Sequence, residues 1–379
     1  MFVVLLAYAA ALSVCLAFAQ TLALVLHLCR PARRASVSPK VSVLKPLCGV
    51  DAGLAENLAS FLAQDWPDFE LVLGVESERD PACAVARELA ARAPDRVKVV
   101  LREGQPGLNP KVNQLSTLER HARGEILVVS DSNVRVPPGY LADLVAPLLS
   151  DPRVGVVTSP IVGRAGERLG GRLDALHLST CIAPGVALLR LVGHPVFVGK
   201  SMALRRSDVA ALDGFASFGY VLAEDQALGE AMVAQGKRAA FARLPVVNVT
   251  DCEVEGFFER YFRWGLLQKH AAGIAFPLLF LNFPYLLTAA LFLATAQSSP
   301  SLATLALVGF AAHLFFDALA VRSLSHVWPD AATLVLSPLR ELIAAFALAK
   351  AATTNRVLWR GKALVVGAGT RLALEAGGA

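Results

Sequence analysis

Apolar residues fall into three regimes along this chain. From Met1 to Cys29 they run unbroken by any Asp, Glu, Lys or Arg, long enough to cross a bilayer core of about 30 Å. Between 30 and 252, short apolar runs at 41–44, 71–75, 97–101 and 126–129 alternate with helical patterns at 54–62, 82–91 and 140–149. That alternation predicts buried strands joined by helices, hence a parallel sheet covered on both faces. Beyond residue 270 the long apolar stretches return, at 274–296 and 301–319. A third, 332–349, is interrupted by Pro338, Arg340 and Glu341. Charge in mid-membrane is costly, so this stretch is expected to be re-entrant, interfacial or packed on its neighbours. Five segments result: a transmembrane anchor (1–29), a soluble domain (30–252), an amphipathic interfacial helix (253–270), membrane helices (271–355) and a basic tail (356–379).

Composition supports a membrane region beside one soluble domain. Of 379 residues, 55% are hydrophobic and 18% charged, and mean hydropathy is +0.52, beyond the usual soluble mix. The first segment lacks the basic start and short core of a cleaved signal peptide. Arg30, Arg33, Arg34 and Lys40 follow it, which by the positive-inside rule places the soluble domain in the cytoplasm. The net charge of +5 suits an anionic membrane face, and no basic block with interleaved aromatics points to nucleic acid. Six cysteines without a C-x-x-C pair give neither a zinc site nor a disulfide framework.

In a parallel sheet, ligands bind beyond the carboxyl ends of the strands, so the residues just after the strands carry the argument. No G-x-G-x-x-G follows the first strand, and Gly199-Lys200-Ser201 lacks the upstream glycine of a P-loop. After the second strand, Glu76 and Asp80 either accept hydrogen bonds from a base or ribose, or Asp80 caps the helix that Pro81 opens. Gly107-Leu108-Asn109-Pro110-Lys111-Val112-Asn113 is either an anion site at a helix start or an ordinary turn. Asp131 ends a buried strand, with a second oxygen donor, Asn133, two residues on. That pair suits a hard divalent cation bridging phosphate oxygens, or else forms an Asx-turn. Glu224 and Asp225 open a helix as caps, or one of them serves as a general base. Arg260 and Arg263 share a helical face beside Trp264, suiting either phosphate or a membrane interface.

In this order and spacing, Asp80, Asp131, Asp225 and Arg260-x-x-Arg263-Trp264 resemble the "D, D, D, (Q/R)xxRW" pattern of membrane-bound GT-A glycosyltransferases, and within them the ceramide glucosyltransferase family. The likeness extends from Val43-Leu44-Lys45-Pro46-Leu47-Cys48-Gly49-Val50-Asp51 through Pro338-Leu339-Arg340-Glu341 to Trp359-Arg360-Gly361. It implies an α/β GT-A catalytic domain over 30–252 and an inverting transfer of a sugar, glucose above all, from a UDP-sugar to a membrane-lipid hydroxyl. Asp225 would be the general base. Asp80 and Glu76 would contact the uridine, and Lys111 the phosphates. Asp131, with Asn133, would hold Mg or Mn. Arg260, Arg263 and Trp264 would grip the diphosphate and shape the acceptor site. The expected setting is a bacterial inner membrane with the catalytic domain in the cytoplasm. Ile182 occupies the approximate place of a histidine common in ceramide enzymes, and bacterial transferases of N-acetylglucosamine to hopanoid lipids are also similar. A processive polysaccharide synthase would need more spans and a box starting with Gln; a non-catalytic scaffold would be expected to lose acidic positions that survive here.

Overall fold

The computed structural model describes residues 1–31, 37–359 and 361–375; Arg33, Arg34 and Arg360 lie outside them. The chain divides into two compact units. One comprises Arg30–Ile161, His194–Thr250 and Arg356–Ala379, the other Met1–Cys29, Val162–Gly193 and Asp251–Asn355. The stretch expected as one domain, 30–252, is thus interrupted by a segment that belongs to the hydrophobic unit.

The first unit is built on a seven-stranded sheet in the order Val97–Leu101, Phe69–Val75, Val41–Pro46, Ile126–Ser130, Ser201–Arg205, Val154–Thr158, Arg238–Phe241. The four strands expected from sequence pair in parallel; the runs of the inner three are buried, as a sheet covered on both faces requires, while the edge strand Val97–Leu101 buries only Val97 and Val100. Ser201–Arg205 runs antiparallel to both its neighbours, so the sheet is mixed. That insertion has a local consequence, because Ser130 pairs with Ser201. The residue after one strand, Asp131, then lies beside the residue before the other, Lys200, and the Asp131 N–H donates to the Lys200 carbonyl at 3.3 Å. Leu44, Leu115, Leu127, Val129 and Met202 pack in the core beneath, each worth about 1.5–3 kcal/mol of apolar burial.

Residues 356–375, expected as a basic tail, form a three-stranded antiparallel sheet: Arg356–Trp359, Lys362–Val366 and Leu372–Leu374. Val357, Leu364, Val366 and Leu372 are buried in alternation, which gives the segment a core face despite its basic composition.

In the hydrophobic unit, Phe2–Leu28, Pro300–Ser325 and Ala331–Thr353 are long and apolar enough to cross a membrane. The span expected at 274–296 is broken. The helix Val254–Ala272 continues as a 3-10 segment, Gly273–Asn282, then bends by 65° into Pro284–Thr295. Phe283, held off helical geometry (φ −121°, ψ 63°) by the proline that follows it, makes the break. The charges in the third stretch are internal. Arg340 lies 3.5 Å from Asp317 and 3.8 Å from Glu341, the Tyr285 hydroxyl donates to Asp317 at 3.0 Å, and the Leu286 N–H donates to Glu341 at 2.9 Å. Such pairing is what lets ionisable groups persist among apolar helices.

Candidate active site

The centre of the first unit is a chain of charges laid across the carboxyl edge of the sheet. Asn109 ends the loop after Val97–Leu101, and its Oδ1 accepts from the Lys111 and Val112 N–H groups at 2.9 and 3.2 Å, capping the helix Pro110–His121. The cap aims Lys111 Nζ between two carboxylates, 2.9 Å from Asp131 and 2.8 Å from Glu224. Burial disfavours the ammonium, but Asp131, Glu224 and Asp225 outweigh it and hold Lys111 above the ordinary lysine range. Lys200 reaches Asp131 from the other side at 3.0 Å. Burial likewise opposes the Asp131 charge, and the two lysines overcome it, keeping this carboxyl well below the usual carboxylate range.

Glu224 is also bound by the Asn109 amide at 3.1 Å. Asp225 accepts from the Gly199 N–H at 2.5 Å and from its neighbour Gln226 N–H at 2.9 Å. A carboxylate at a helix start would be expected to ionise readily. Here burial, followed by the adjacent Glu224 charge, pushes Asp225 up to about 6. That value suits a group that takes up a proton near neutral pH.

Lys45, at the end of the first strand, is fully buried. Its Nζ donates to the Asp131 carbonyl at 2.5 Å and to Ser130 Oγ at 3.3 Å, and lies 4.1 Å from the Phe61 ring centre. Burial lowers this amine to about 7. Asp51 accepts a hydrogen bond from Ser132, and Asn133 Oδ1 accepts from Lys200 at 3.3 Å. Together Asp51, Lys111, Asp131, Asn133 and Lys200 line a cleft of about 200 Å³ that Trp359 also enters. Among the described residues no group of three or more His, Cys, Asp or Glu side chains could enclose a metal. The available hard donors are the Asp131 carboxylate and the Asn133 amide oxygen, which suits a cation that takes its remaining ligands from phosphate and water.

Asp80 caps the helix Pro81–Arg92, accepting from the Ala82 N–H at 2.9 Å, and also accepts from the Gly49 N–H at 2.9 Å, tying the loops after the first two strands together. Glu76 pairs with Arg102 at 2.8 Å. Arg260, Arg263 and Trp264 belong to the other unit. There Arg260 meets the fully buried Asp174 at 2.6 Å, and Tyr261 donates to the same carboxylate at 3.1 Å. Arg260 is therefore fixed by a protein carboxylate that the sequence motif did not announce.

Sequence reasoning also passed over Lys45 and Lys200. Gly199-Lys200-Ser201 was noticeable only as a fragment of a P-loop; its meaning depends on the antiparallel strand that brings it beside Asp131.

A model of glycosyl transferase family 21 matches residues 5–372. Over 228 residues the chain is 31% identical to ceramide glucosyltransferase 1 of Caenorhabditis elegans, covering 60% of this chain and 49% of that one. Over 107 residues it is 36% identical to the ceramide glucosyltransferase of Komagataella phaffii, covering 27% and 21%. It spans about half the length, or less, of these curated relatives. Among solved structures, the mannosyltransferase PcManGT from Pyrobaculum calidifontis, in complex with GDP-Man and Mn2+, aligns over 90% of this chain and 99% of its own with a TM-score of 0.53 and 23% identity. That is a likeness of fold, and the expected GT-A architecture is the one found. With the family match running nearly end to end, the chain belongs to glycosyl transferase family 21.

Proposed function

We propose that this chain is an inverting glycosyltransferase that moves glucose from UDP-glucose to the hydroxyl of a membrane lipid such as ceramide, working at the cytoplasmic face of a bacterial inner membrane. The observation that carries this reading is Lys111, held between Asp131 and Glu224, with Asp225 beside them at a pKa of about 6. A half-buried cation beside Asp131, held well below the usual carboxylate range, and near Asp225, raised to about 6, suits a reaction that needs an anion stabilised and a proton removed.

In this reading Asp225 takes the proton of the lipid hydroxyl as its oxygen bonds to the anomeric carbon. The bond from that carbon to the β-phosphate oxygen breaks, and UDP leaves with the electron pair. Lys111 and Lys200 offset the charge gathering on the diphosphate. Asp131 and Asn133 would hold a divalent cation, Mg2+ or Mn2+, whose bound charge further stabilises the leaving group. Glu76 and Asp80 would bound the uridine pocket. Arg260, Arg263 and Trp264 would serve the diphosphate and the acceptor, with Asp174 setting the position of Arg260.

Purified protein in lipid nanodiscs, given UDP-glucose and a short-chain ceramide, is expected to release UDP and yield glucosylceramide by mass spectrometry. A product carrying N-acetylglucosamine on a polyol lipid would replace glucose and ceramide in this reading, and UDP-sugar left intact with every lipid would overturn it. Asp131→Ala is expected to abolish transfer and to remove the enhancement of UDP binding by divalent cation. Near-normal turnover of that variant would show that Asp131 only shapes the turn.

A further inference from the structure

The three-stranded sheet at 356–375 has no part in the chemistry above, yet it reaches the cleft through Trp359 and the approach to the acidic helix through Thr370 and Leu372. Along Arg356–Trp359, alternate residues face opposite ways: Val357 is buried and Leu358 exposed, so Trp359 continues the inner face. There it stops covering core and enters the cleft lined by Lys111, Asp131 and Lys200. Its neighbour across the hairpin is Lys362, and the turn closes through Gly361 at φ +76°, a left-handed geometry that favours glycine.

The other end of the sheet is bonded to the chain leading into the acidic helix. The Thr370 carbonyl accepts from the Leu222 N–H at 2.9 Å, and the Leu372 N–H donates to the Tyr220 carbonyl at 2.7 Å. Thr370 Oγ1 accepts from the Ala223 N–H at 3.4 Å, one residue before Glu224. Thr370 itself sits at φ +56°, a strained setting for a β-branched residue, of the kind that clusters at functional sites.

From this we propose that Trp359 is a binding residue for the nucleotide-sugar donor, its indole packing against a flat face of the ligand, either the base or the hexose. The proposal rests on reading the cleft as the donor site. Its chemical basis is the composition of the walls. Lysines and Asp131 account for diphosphate and cation, and beside the aliphatic Pro46 and Leu47 the Trp359 indole is the only aromatic surface lining the cleft among the described residues. An indole anchored by a hydrogen-bonded sheet offers that surface with little rotamer freedom to lose.

Titration calorimetry with UDP and with a non-hydrolysable UDP-glucose analogue tests this on the full-length protein. Trp359→Leu keeps an apolar side chain but removes the plane, and is expected to weaken binding roughly tenfold; Trp359→Phe is expected to stay within about threefold of wild type. Equal weakening for both ligands assigns the contact to the base, and weakening of the analogue alone assigns it to the hexose. Unchanged affinity of Trp359→Leu for both ligands, with its melting temperature intact, overturns the proposal. A melting temperature that falls in Trp359→Leu and Trp359→Phe alike, with equal loss of affinity, also overturns it in favour of a packing role. Wild-type protein that binds neither ligand defeats the donor-site reading itself, which is a different result.

Discussion

Half-buried Asp225 and fully buried Lys45 are moved toward neutrality from opposite directions, and their titrations have opposite consequences. Asp225, raised to about 6, must be deprotonated to act as a base, so kcat/KM is expected to fall as pH drops through about 6. Glu224 contributes to that elevation, so Glu224→Gln should shift the acid limb to lower pH while reducing turnover only mildly. Asp225→Asn should lower turnover by about 10²–10⁴-fold with UDP affinity little changed. An active Asp225→Asn and an inactive Glu224→Gln would reverse the assignment. Lys45 falls from 10.5 to about 7. Between those values the unfolded chain holds a proton that the folded chain has released, so stability rises as pH rises through that window. Lys45→Met should flatten this slope in thermal unfolding. It should also cost about 1–3 kcal/mol, because the Asp131 carbonyl loses its buried donor. A variant with the wild-type slope would show that Lys45 does not titrate there.

At the scale of elements, the site depends on how closely loops approach one another. A Cβ at Gly107 would lie 2.1 Å from the Gly219 carbonyl oxygen, while the Asn109 N–H donates to that same oxygen at 2.8 Å. Gly107→Ala therefore has to push apart the two loops that carry Lys111 and Glu224. Overpacking of this kind costs about 1–3 kcal/mol, and donor binding should weaken along with the melting temperature. A variant with wild-type affinity would mean that the loops adjust without moving the charges. The four parallel strands, and the positions of Asp131 after a strand and Asp225 at a helix start, could be read directly from the sequence, because strand periodicity and acidic residues at element ends are local signals. The surroundings of Lys200, Asp174 and Trp359 could not, because each meets side chains about 70 or more residues away in the chain. The caps at Asp80 and Asn109 show why some motifs read ambiguously: one oxygen ends a helix while the same side chain lies at the sheet's binding edge.

At the scale of the whole molecule, the hydrophobic unit draws on three separate parts of the chain. The polypeptide therefore leaves and re-enters the sheet-containing unit. The apolar first helix is followed by Arg30 and Lys40, so Ser150, at the end of the helix Tyr140–Ser150, is expected in the cytoplasm. A cysteine placed there should resist an impermeant thiol reagent in intact cells and react after permeabilisation. Labelling before permeabilisation would invert the topology.

The Asp317, Arg340 and Glu341 cluster bears on how the protein is made. Each of these charges costs about 2.5–3.5 kcal/mol at the centre of a lone helix. Pro300–Ser325 carries Asp317, while Ser337–Thr353 carries Arg340 and Glu341. Neither helix is a comfortable passenger for the insertion machinery on its own. Pairing of Asp317 with Arg340 across the two helices is expected to lower the cost of burying them together, while the second carboxylate, Glu341, is met by the Leu286 N–H. A chain that ended between them would leave Asp317 with the Tyr285 hydroxyl but without its basic partner, a carboxylate that is costly to keep ionised in lipid.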